Sequence, residues 1–363
     1  MIHEFAHLLR PTRLRTVTLA ILGLLTATAC DNGNDPLATN EPTDTPAAVT
    51  DDSAGVTAAA TEPAMAILAA YTGTPYGPFG LWGSYTTVKW GPSPFTASQN
   101  HTDANGIVTQ IAAARSKKQR LVLAMTGGSS TNYTTNGKFD LAKWKNRMNT
   151  YKTSTIKNAV AAGVADGTIV GNSILDEPET PRWGGVLTKP LLDQMATYVK
   201  GIFPTLAVGV NHGPTGYLYW RTSERYKVVD YVMNNYVWYI SSGNVASWRD
   251  KIRAKAATDG AKVGFGVNVL DGGIKIAGCF SGSACCPVPK TGGIGTYAGG
   301  GGQNCRMTPT QVRDWSRALG TYACAMLVWQ YDYTFLSKSA NVTAFRDAAS
   351  TLAAQPRRSC KRA

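Results

Sequence analysis

The sequence predicts an α/β protein that folds as a single (β/α)8 barrel of the TIM type, with a disulfide-stapled loop inserted after a late strand. Two observations lead to this fold class. From residue 76 onward, short apolar runs rich in Val, Ile and aromatic residues alternate with longer helix-like segments. This alternation is typical of β/α units in a parallel sheet. Polar residues follow nearly every run, which favours a closed barrel over an open sheet that binds ligands only near its switch point.

The composition agrees with a large globular domain. The chain has 363 residues, of which 44% are hydrophobic and 16% are charged. These values exclude a disordered, collagen-like or coiled-coil protein. Two average domains or one large barrel would both fit the length, so the choice rests on the pattern of elements.

Residues 1–29 predict an export signal peptide. Basic residues up to Arg15 precede an apolar run at 17–25, which is too short to span a bilayer. Small residues then lead into Cys30, a pattern that resembles the lipobox of bacterial lipoproteins and predicts lipidation of Cys30. The alternative is an ordinary cleavage site after 27–29. Both interpretations predict an exported protein, either a cell-envelope lipoprotein or a secreted one, with membrane attachment only through the lipid anchor.

The chain then changes from an acidic segment to a basic domain. Residues 30–63 predict a disordered Thr/Ala/Pro tether, because they contain seven acidic residues, no Lys or Arg, and almost no large apolar side chain. Residues 64–363 hold 33 Lys and Arg against 15 Asp and Glu, a net charge of +18. This charge allows an anionic carbohydrate as partner. No nucleic-acid-binding module is visible, so no nucleic acid partner is expected.

Seven strands and six helices are expected between residues 76 and 354. The strand candidates are Phe79–Tyr85, Arg120–Met125, Thr168–Leu175, Leu206–Val210, Tyr231–Trp238, Lys262–Leu270 and Ala325–Gln330. Apolar residues at three- and four-residue spacing predict helices at Asn105–Lys118, Leu141–Ala165, Lys189–Ile202, Val245–Ala257, Thr310–Gly320 and Val342–Ala354. An eighth strand is expected in Met65–Tyr71 or in Tyr217–Tyr226.

Six cysteines besides Cys30 agree with export. They are Cys279, Cys285, Cys286, Cys305, Cys324 and Cys360. An even number in an oxidising compartment predicts up to three disulfides whose pairing remains open. Four of them fall in the Gly-rich segment 278–306, which is the predicted stapled loop. A zinc site is the alternative, but the spacing lacks paired C-x-x-C units, so neither a metal nor another cofactor is expected.

Polar and aromatic residues at the strand ends form the candidate site. The third predicted strand runs directly into Asp176, Glu177 and Pro178. Because carboxyl strand ends and their loops converge in a barrel, we expect these groups to face one ligand site. The candidate substrate-binding residues are Asn211, His212, Asn235, Tyr236, Asn268, Gln330, Trp82 and Trp329. The alternatives are a satisfied structural histidine at 212 and core positions for the rings.

The run Gly171–Pro178 resembles the acid-bearing strand of secreted β/α-barrel glycoside hydrolases. The segments Phe139–Trp144 and Val328–Asp332 are also similar to those barrels. The resemblance implies a glycoside hydrolase acting on a poly- or oligosaccharide, with Glu177 as general acid/base. In the large retaining clan the comparable turn is Asn-Glu-Pro, so Asp176 departs from the pattern. Asp176 is therefore expected to be either catalytic or supporting.

The second carboxylate is expected to be an aspartate. The retaining clan places a nucleophilic Glu on a later strand, and this chain has none there. Glycoside hydrolysis needs two carboxyl groups, and Asp271 and Asp332 stand at late strand ends. Asp332 is preferred, because Asp271 precedes two glycines in a typical turn. The missing Glu also motivates an alternative, a non-catalytic carbohydrate-binding surface lipoprotein on the same barrel. The sequence fixes neither the stereochemistry nor the oligomeric state.

Overall fold

The computed structural model describes residues 72–79, 87–88, 91–92, 94–127, 130–185, 187–214, 216–238, 241, 244–274, 305–329 and 332–363. The expected export signal, the tether and most of the Cys-rich loop lie outside these residues. So do the candidate site residues Cys30, Trp82 and Gln330.

Eight parallel strands form one sheet that wraps into a barrel. They are β1 (Tyr76–Pro78), β2 (Ala97–His101), β3 (Arg120–Ala124), β4 (Ile169–Asp176), β5 (Val208–His212), β6 (Tyr231–Tyr236), β7 (Lys262–Asn268) and β8 (Met326–Trp329). From β2 to β8 each strand pairs with the next in chain order, and β8 pairs with β1. The barrel closes where Phe79 forms a parallel bridge with Gln99 and the Thr96 amide donates to the Tyr76 carbonyl at 2.8 Å. This arrangement confirms the predicted fold class.

Helices cover the outside of the strands. They are α1 (Ile107–Ser116), α2 (Leu141–Asn149), α3 (Ser154–Ala165), α4 (Lys189–Ile202), α5 (Gly216–Tyr219), α6 (Val245–Asp259), α7 (Pro309–Gly320), α8 (Tyr333–Leu336) and α9 (Ser339–Ala353). Short 3-10 turns occupy Ser130–Tyr133 and Pro181–Trp183, and two-residue hairpins pair 87–88 with 91–92 and 134–135 with 138–139. None of the described helices is long and apolar enough to cross a membrane.

One predicted helix, Leu141–Ala165, is two helices in the structure. The Asp140 carboxylate caps α2 by accepting from the amides of Ala142 and Lys143. A new helix starts at Ser154, because the Thr153 hydroxyl accepts from the Ile156 amide. Such caps satisfy amides that a helix leaves without partners at its first turn. The apolar spacing continued across the break and therefore did not reveal it.

The eighth strand is β2, which neither predicted segment contains. The segment Tyr217–Tyr226 overlaps the short helix α5 instead of a strand, and Met65–Tyr71 lies outside the described residues. The sequence of β2 is Ala-Ser-Gln-Asn-His, and Ser98, Gln99 and Asn100 are buried despite their polar side chains. A strand without an apolar run gives no signal to a search for apolar runs.

Glycines inside the barrel make room for a tyrosine ring. A Cβ on Gly209 would lie 2.2 Å from the ring of Tyr231, and a Cβ on Gly171 would lie 2.7 Å from it. The ring packs with Met233 in a small interior cluster, whereas a larger apolar core lies between the strands and the helices. Since side chains alternate along a strand, Asn211 and Asn235 share the interior face with these residues.

A disulfide joins Cys324, just before β8, to Cys360 in the tail that follows α9. It is one of the disulfides that the cysteine count predicts. Cys305 is also disulfide-bonded, and it bridges the backbone of Gly272 and Gly273 after β7. The predicted loop insertion therefore follows β7.

Candidate active site

Glu177 stands at the carboxyl end of β4 in a left-handed backbone conformation, with φ at +46°. Its amide donates to the Asn211 carbonyl at 2.8 Å, and its carbonyl accepts from the Thr180 amide at 3.1 Å and the Thr180 hydroxyl at 2.9 Å. A left-handed conformation costs a residue with a side chain about 1–2 kcal/mol. Strained positions of this kind cluster at functional sites, so the backbone marks Glu177 as a site residue.

Burial of the Glu177 carboxyl group favours its protonated form. The carboxyl group makes no hydrogen bond with another described residue. Burial raises the pKa of Glu177 to about 8, and the nearby charges of Asp176 and Glu179 add to this effect while Arg182 opposes it. The group therefore carries a proton at neutral pH and can donate it to a leaving oxygen.

Asp176 is tied to the loop that follows it. Its carboxylate pairs with the Arg182 guanidinium at 2.8 Å, and its carbonyl accepts from the Trp183 indole N–H at 3.0 Å. The side chain is 46% exposed, so Asp176 stays within reach of solvent. Asp176 can therefore place a negative charge beside Glu177 while it remains in contact with solvent.

His101 lies at the mouth of the barrel, the end where the carboxyl ends of the strands meet, and it was not identified from the sequence as a site residue. It ends β2 and keeps surface that solvent can reach. The protein around the ring nonetheless removes part of its hydration, which lowers the pKa of His101, and the charge of Asp176 opposes the decrease. This influence places the imidazole near the acidic pair. Only a correct prediction of β2 would have revealed a histidine at a strand end.

Three amide side chains of the barrel interior keep an unsatisfied oxygen. Asn211 Oδ1, Asn235 Oδ1 and Gln99 Oε1 are buried and accept no hydrogen bond in the described part of the chain. Asn211 is 3% exposed. A Cβ on Gly266 would lie 2.0 Å from Asn235 Oδ1, so the glycine makes room for this amide. Because a buried acceptor without a partner is unfavourable, these oxygens are ready to accept from a ligand hydroxyl.

Trp329 and Asn268 lie beside each other at the ends of β8 and β7. The Trp329 ring is half-buried and contacts Phe79 edge-on, with ring centroids 5.4 Å apart. Asn268 Oδ1 accepts from the amides of Leu270 at 3.2 Å and Asp271 at 3.0 Å. Asn268 therefore holds the turn after β7, whereas Trp329 adds an aromatic ring near the mouth.

The structure distinguishes the two candidate aspartates. Asp332 Oδ1 accepts from the Phe335 amide at 2.7 Å and so caps α8. Asp271 is buried directly after β7, in the turn that Asn268 organises. From β4, which carries Glu177, β7 is three strands away and β8 is four. Both aspartates thus lie across the mouth from Glu177, and Asp332 already has a structural role.

His212 faces the helices instead of the barrel interior, which corrects its prediction as a substrate ligand. It is 1% exposed, and its two ring nitrogens lie 3.0 Å from Glu179 Oε2 and 3.1 Å from the Tyr226 hydroxyl. Glu179 Oε1 also accepts from the Gly213 amide at 2.6 Å. Burial alone would raise the pKa of Glu179, but His212 and these hydrogen bonds lower it. Neither nitrogen of His212 is left for a sugar.

Tyr236 was also predicted to bind substrate, and its position corrects this prediction. Its buried ring packs against Trp248 and Trp315 with centroid distances of 5.3 and 5.0 Å. These contacts place it in the core between the strands and the helices. It therefore offers no ring face to a substrate.

A buried ionic network continues outward from Tyr226. Lys189 is fully buried, donates from Nζ to the Glu224 carbonyl at 2.9 Å and lies 3.8 Å from Asp259 Oδ2. The Tyr217 hydroxyl donates to the same Asp259 oxygen at 2.8 Å. Burial lowers the pKa of Lys189 to about 8. The network is well bonded and holds the loops that follow β4 and β5.

Similarity to known proteins is confined to solved structures. No family model matches the sequence, and no curated protein matches it. An endo-β-1,4-mannanase from Thermotoga petrophila shares 10% identity over 79% of this chain and 78% of its own, with a TM-score of 0.49. A xylanase from Thermotoga maritima shares 10% over 80% and 98%, at 0.43. A β-mannanase from Alicyclobacillus acidocaldarius shares 12% over 77% and 98%, at 0.42. The barrel assignment itself rests on the strand pairing described above.

Proposed function

We propose that the protein is an exported glycoside hydrolase that acts on a poly- or oligosaccharide, with Glu177 as the general acid/base. The observation that carries the proposal is the state of Glu177. Burial favours the protonated form of this carboxyl group, which lies in a strained backbone position at the carboxyl end of β4 and makes no hydrogen bond with another described residue. Cleavage of a glycosidic bond requires a carboxylic acid that can protonate the leaving oxygen.

The partner carboxylate in this proposal is Asp271. The Asp332 carboxylate is already used as a helix cap, whereas Asp271 lies in the organised turn after β7. Asp271 would attack the anomeric carbon or activate a water molecule. The distance between the two carboxyl groups would decide between these outcomes, at about 5 Å for retention and about 6.5–9.5 Å for inversion.

The substrate would lie across the polar interior of the mouth. The unsatisfied oxygens of Asn211, Asn235 and Gln99 would accept from sugar hydroxyls, and Trp329 would contact a sugar ring. His101 would contact substrate beside Asp176. Gln330 and Trp82, outside the described residues, remain predicted contacts.

Export completes the proposal. The signal at 1–29, lipidation at Cys30 and the acidic tether at 30–63 would place the barrel outside the cell, attached to a membrane only by the lipid anchor. A polysaccharide substrate fits this location, because polymers of that size do not need to cross a membrane to reach the enzyme.

The test is reducing-sugar release by the purified protein from β-mannan, xylan, a β-1,3-glucan and polygalacturonate. We expect release from one of these, and a loss of about a hundredfold or more in Glu177→Gln. Asp314→Asn is a control for the removal of an exposed charge and should keep full activity. Full activity of Glu177→Gln would refute the role of Glu177. Sugar binding without release by the folded protein would support the carbohydrate-binding lipoprotein instead.

A further inference from the structure

A groove opens at the amino end of the barrel, opposite the candidate active site. Two cavities of about 350 and 590 Å³ adjoin there and share the lining residues Lys262, Val263, Tyr322 and Ala363. Lys262 and Val263 begin β7, and Tyr322 lies in the turn before β8. The groove is therefore at the end where the strands start. Its size falls in the range of about 300–1,000 Å³ that ligand sites occupy.

The side chains that line the groove are strongly basic. The charged ones are Arg253, Lys262, Arg358, Lys361 and Arg362, and no Asp or Glu lines either cavity among the described residues. Asp250, nearby on α6, pairs with Arg249 at 2.9 Å and with Arg253 at 3.3 Å. Most of the positive charge of the groove is thus left without an acidic partner. A concave surface lined by one sign of charge concentrates ligands of the opposite sign.

Several of these cations have donors to spare. The side chains of Lys262 and Arg358 are exposed and make no hydrogen bond or ion pair with another described residue. Arg362 is fixed by donating to the carbonyls of Gly260 and Asp259, so it contributes a positive charge at a defined position. Exposed ammonium and guanidinium groups with free N–H donors, such as those of Lys262 and Arg358, are suited to bind a carboxylate.

The groove is built on rigid elements. The Cys324–Cys360 disulfide holds the tail that carries Arg358 and Arg362 against the strands. The Tyr322 ring lies under the guanidinium groups of Arg249 and Arg253, which are 4.5 and 4.2 Å from its centroid. Such cation–π contacts keep the guanidinium groups in place. The cations are therefore organised before any ligand arrives.

We propose that this groove binds a segment of an acidic polysaccharide, a chain of sugars that carry carboxylates. Its concave shape, with Val263 and Cys324 in the lining, suits a chain better than the flat surface of a bilayer. Single-stranded nucleic acid stacks successive bases on several aromatic rings, whereas Tyr322 is the one aromatic residue among the described lining residues, and two guanidinium groups already pack on its ring. The site is separate from Glu177 and does not depend on the proposed hydrolysis.

The experiment is a calorimetric titration of the whole purified protein with a galacturonate oligomer and, as a neutral comparison, a galactose oligomer of equal length. We expect saturable binding of the acidic oligomer alone, weakened strongly by 1 M salt because screening then acts within about 3 Å. The triple replacement of Arg253, Lys262 and Arg358 by Ala should weaken binding of the acidic oligomer by about tenfold or more. The matched control replaces the exposed Lys117, Lys138 and Lys157 by Ala and should bind like the wild type.

Further arms separate this proposal from its alternatives and from the proposed enzyme activity. Glu177→Gln should bind the oligomer like the wild type, so a failure of the hydrolase proposal leaves this one intact. Binding to vesicles with phosphatidylglycerol but not to the oligomer would overturn the proposal in favour of a membrane surface. Equal binding of a single-stranded oligonucleotide would overturn the specificity for sugars. No binding of the galacturonate oligomer would overturn the proposal outright.

Discussion

Side chains that face the barrel interior and side chains that face the helices include groups in opposite hydrogen-bonding states. On the inner face, Gln99, Asn211 and Asn235 carry buried oxygens that no described protein group satisfies. On the outer face, Glu179 and His212 are bonded at both of their polar side-chain atoms. Neighbouring residues of one strand, such as Asn211 and His212, fall on different faces because side chains alternate. Satisfied groups therefore hold the loops, and unsatisfied groups remain for a ligand.

The two glutamates of the β4 loop show the same contrast. Burial raises the pKa of Glu177, whose carboxyl group makes no hydrogen bond with another described residue, whereas His212 and the Gly213 amide lower the pKa of Glu179 in spite of burial. Although the two glutamates are only two positions apart, burial favours the protonated form of Glu177, and hydrogen bonds fix Glu179 as a carboxylate. Different environments of two carboxyl groups commonly divide their roles.

The largest expected effect concerns the inner face. Asp271→Asn should reduce kcat by about a hundredfold or more, since it removes the second carboxylate of the proposed reaction. Asp332→Ala should keep most of the activity and lose about 1 kcal/mol of stability, because it removes a helix cap. Turnover on the identified substrate and urea unfolding measure the two effects. The opposite ranking in activity would return the partner role to Asp332.

The second prediction targets the outer face. Glu179→Gln should lower the free energy of unfolding by about 1.5–3 kcal/mol, because it removes charged hydrogen bonds to His212 and Gly213. Urea unfolding at pH 7 measures this. Asp314→Asn, an exposed control, should change the free energy by less than about 0.5 kcal/mol. An unchanged stability of Glu179→Gln would mean that the outer network does not hold these loops.

The third prediction compares two neighbours on opposite faces of β6. Asn235→Ala should raise KM by about fivefold to tenfold, the equivalent of one lost hydrogen bond of about 1 kcal/mol, with kcat little changed. Tyr236→Phe removes only a hydroxyl from the outer core and should leave KM unchanged. Steady-state kinetics measures both. Similar KM values for the two variants would contradict the assignment of faces.

The last prediction concerns opposite dependences of stability on pH. The raised pKa of Glu177 stabilises the folded protein fully at pH values below the pKa of Glu in the unfolded chain, which is about 4.3. This stabilisation is lost as the pH rises through about 8. The melting temperature of Glu177→Gln should therefore rise relative to that of the wild type as the pH increases from 5 to 8. The lowered pKa of Glu179 predicts the reverse, since the advantage of wild type over Glu179→Gln should disappear as the pH falls below about 4. If the melting temperatures of the wild type, Glu177→Gln and Glu179→Gln all changed equally with pH, the predicted difference between the two glutamates would be contradicted.

The barrel was predictable because most of its strands are apolar and end in polar residues. The pattern failed at β2, whose polar residues are buried on both faces of the strand and whose predicted substitutes lay elsewhere. It also failed at the break between α2 and α3, where caps at Asp140 and Thr153 decide the ends of helices with continuous apolar spacing. Local caps and buried polar side chains thus override the periodicity.

The candidate site was predictable only in part. The acidic turn at Glu177 is visible in the sequence as an apolar strand that runs into carboxylates. The orientation of His212 is not, because a histidine at a strand end can face either side and its partners come from separate loops. His101 was hidden with its strand. Spatial partners, and not residue types, separate the structural groups from those left for a ligand.

The Tyr231 ring between Gly171 and Gly209 closes the barrel from within. The ring fills the interior space that a chain would need to pass from one end of the barrel to the other. In the proposed reaction a glycan would therefore lie across the carboxyl ends of the strands, with only a short stretch near Glu177, and would not thread through the barrel.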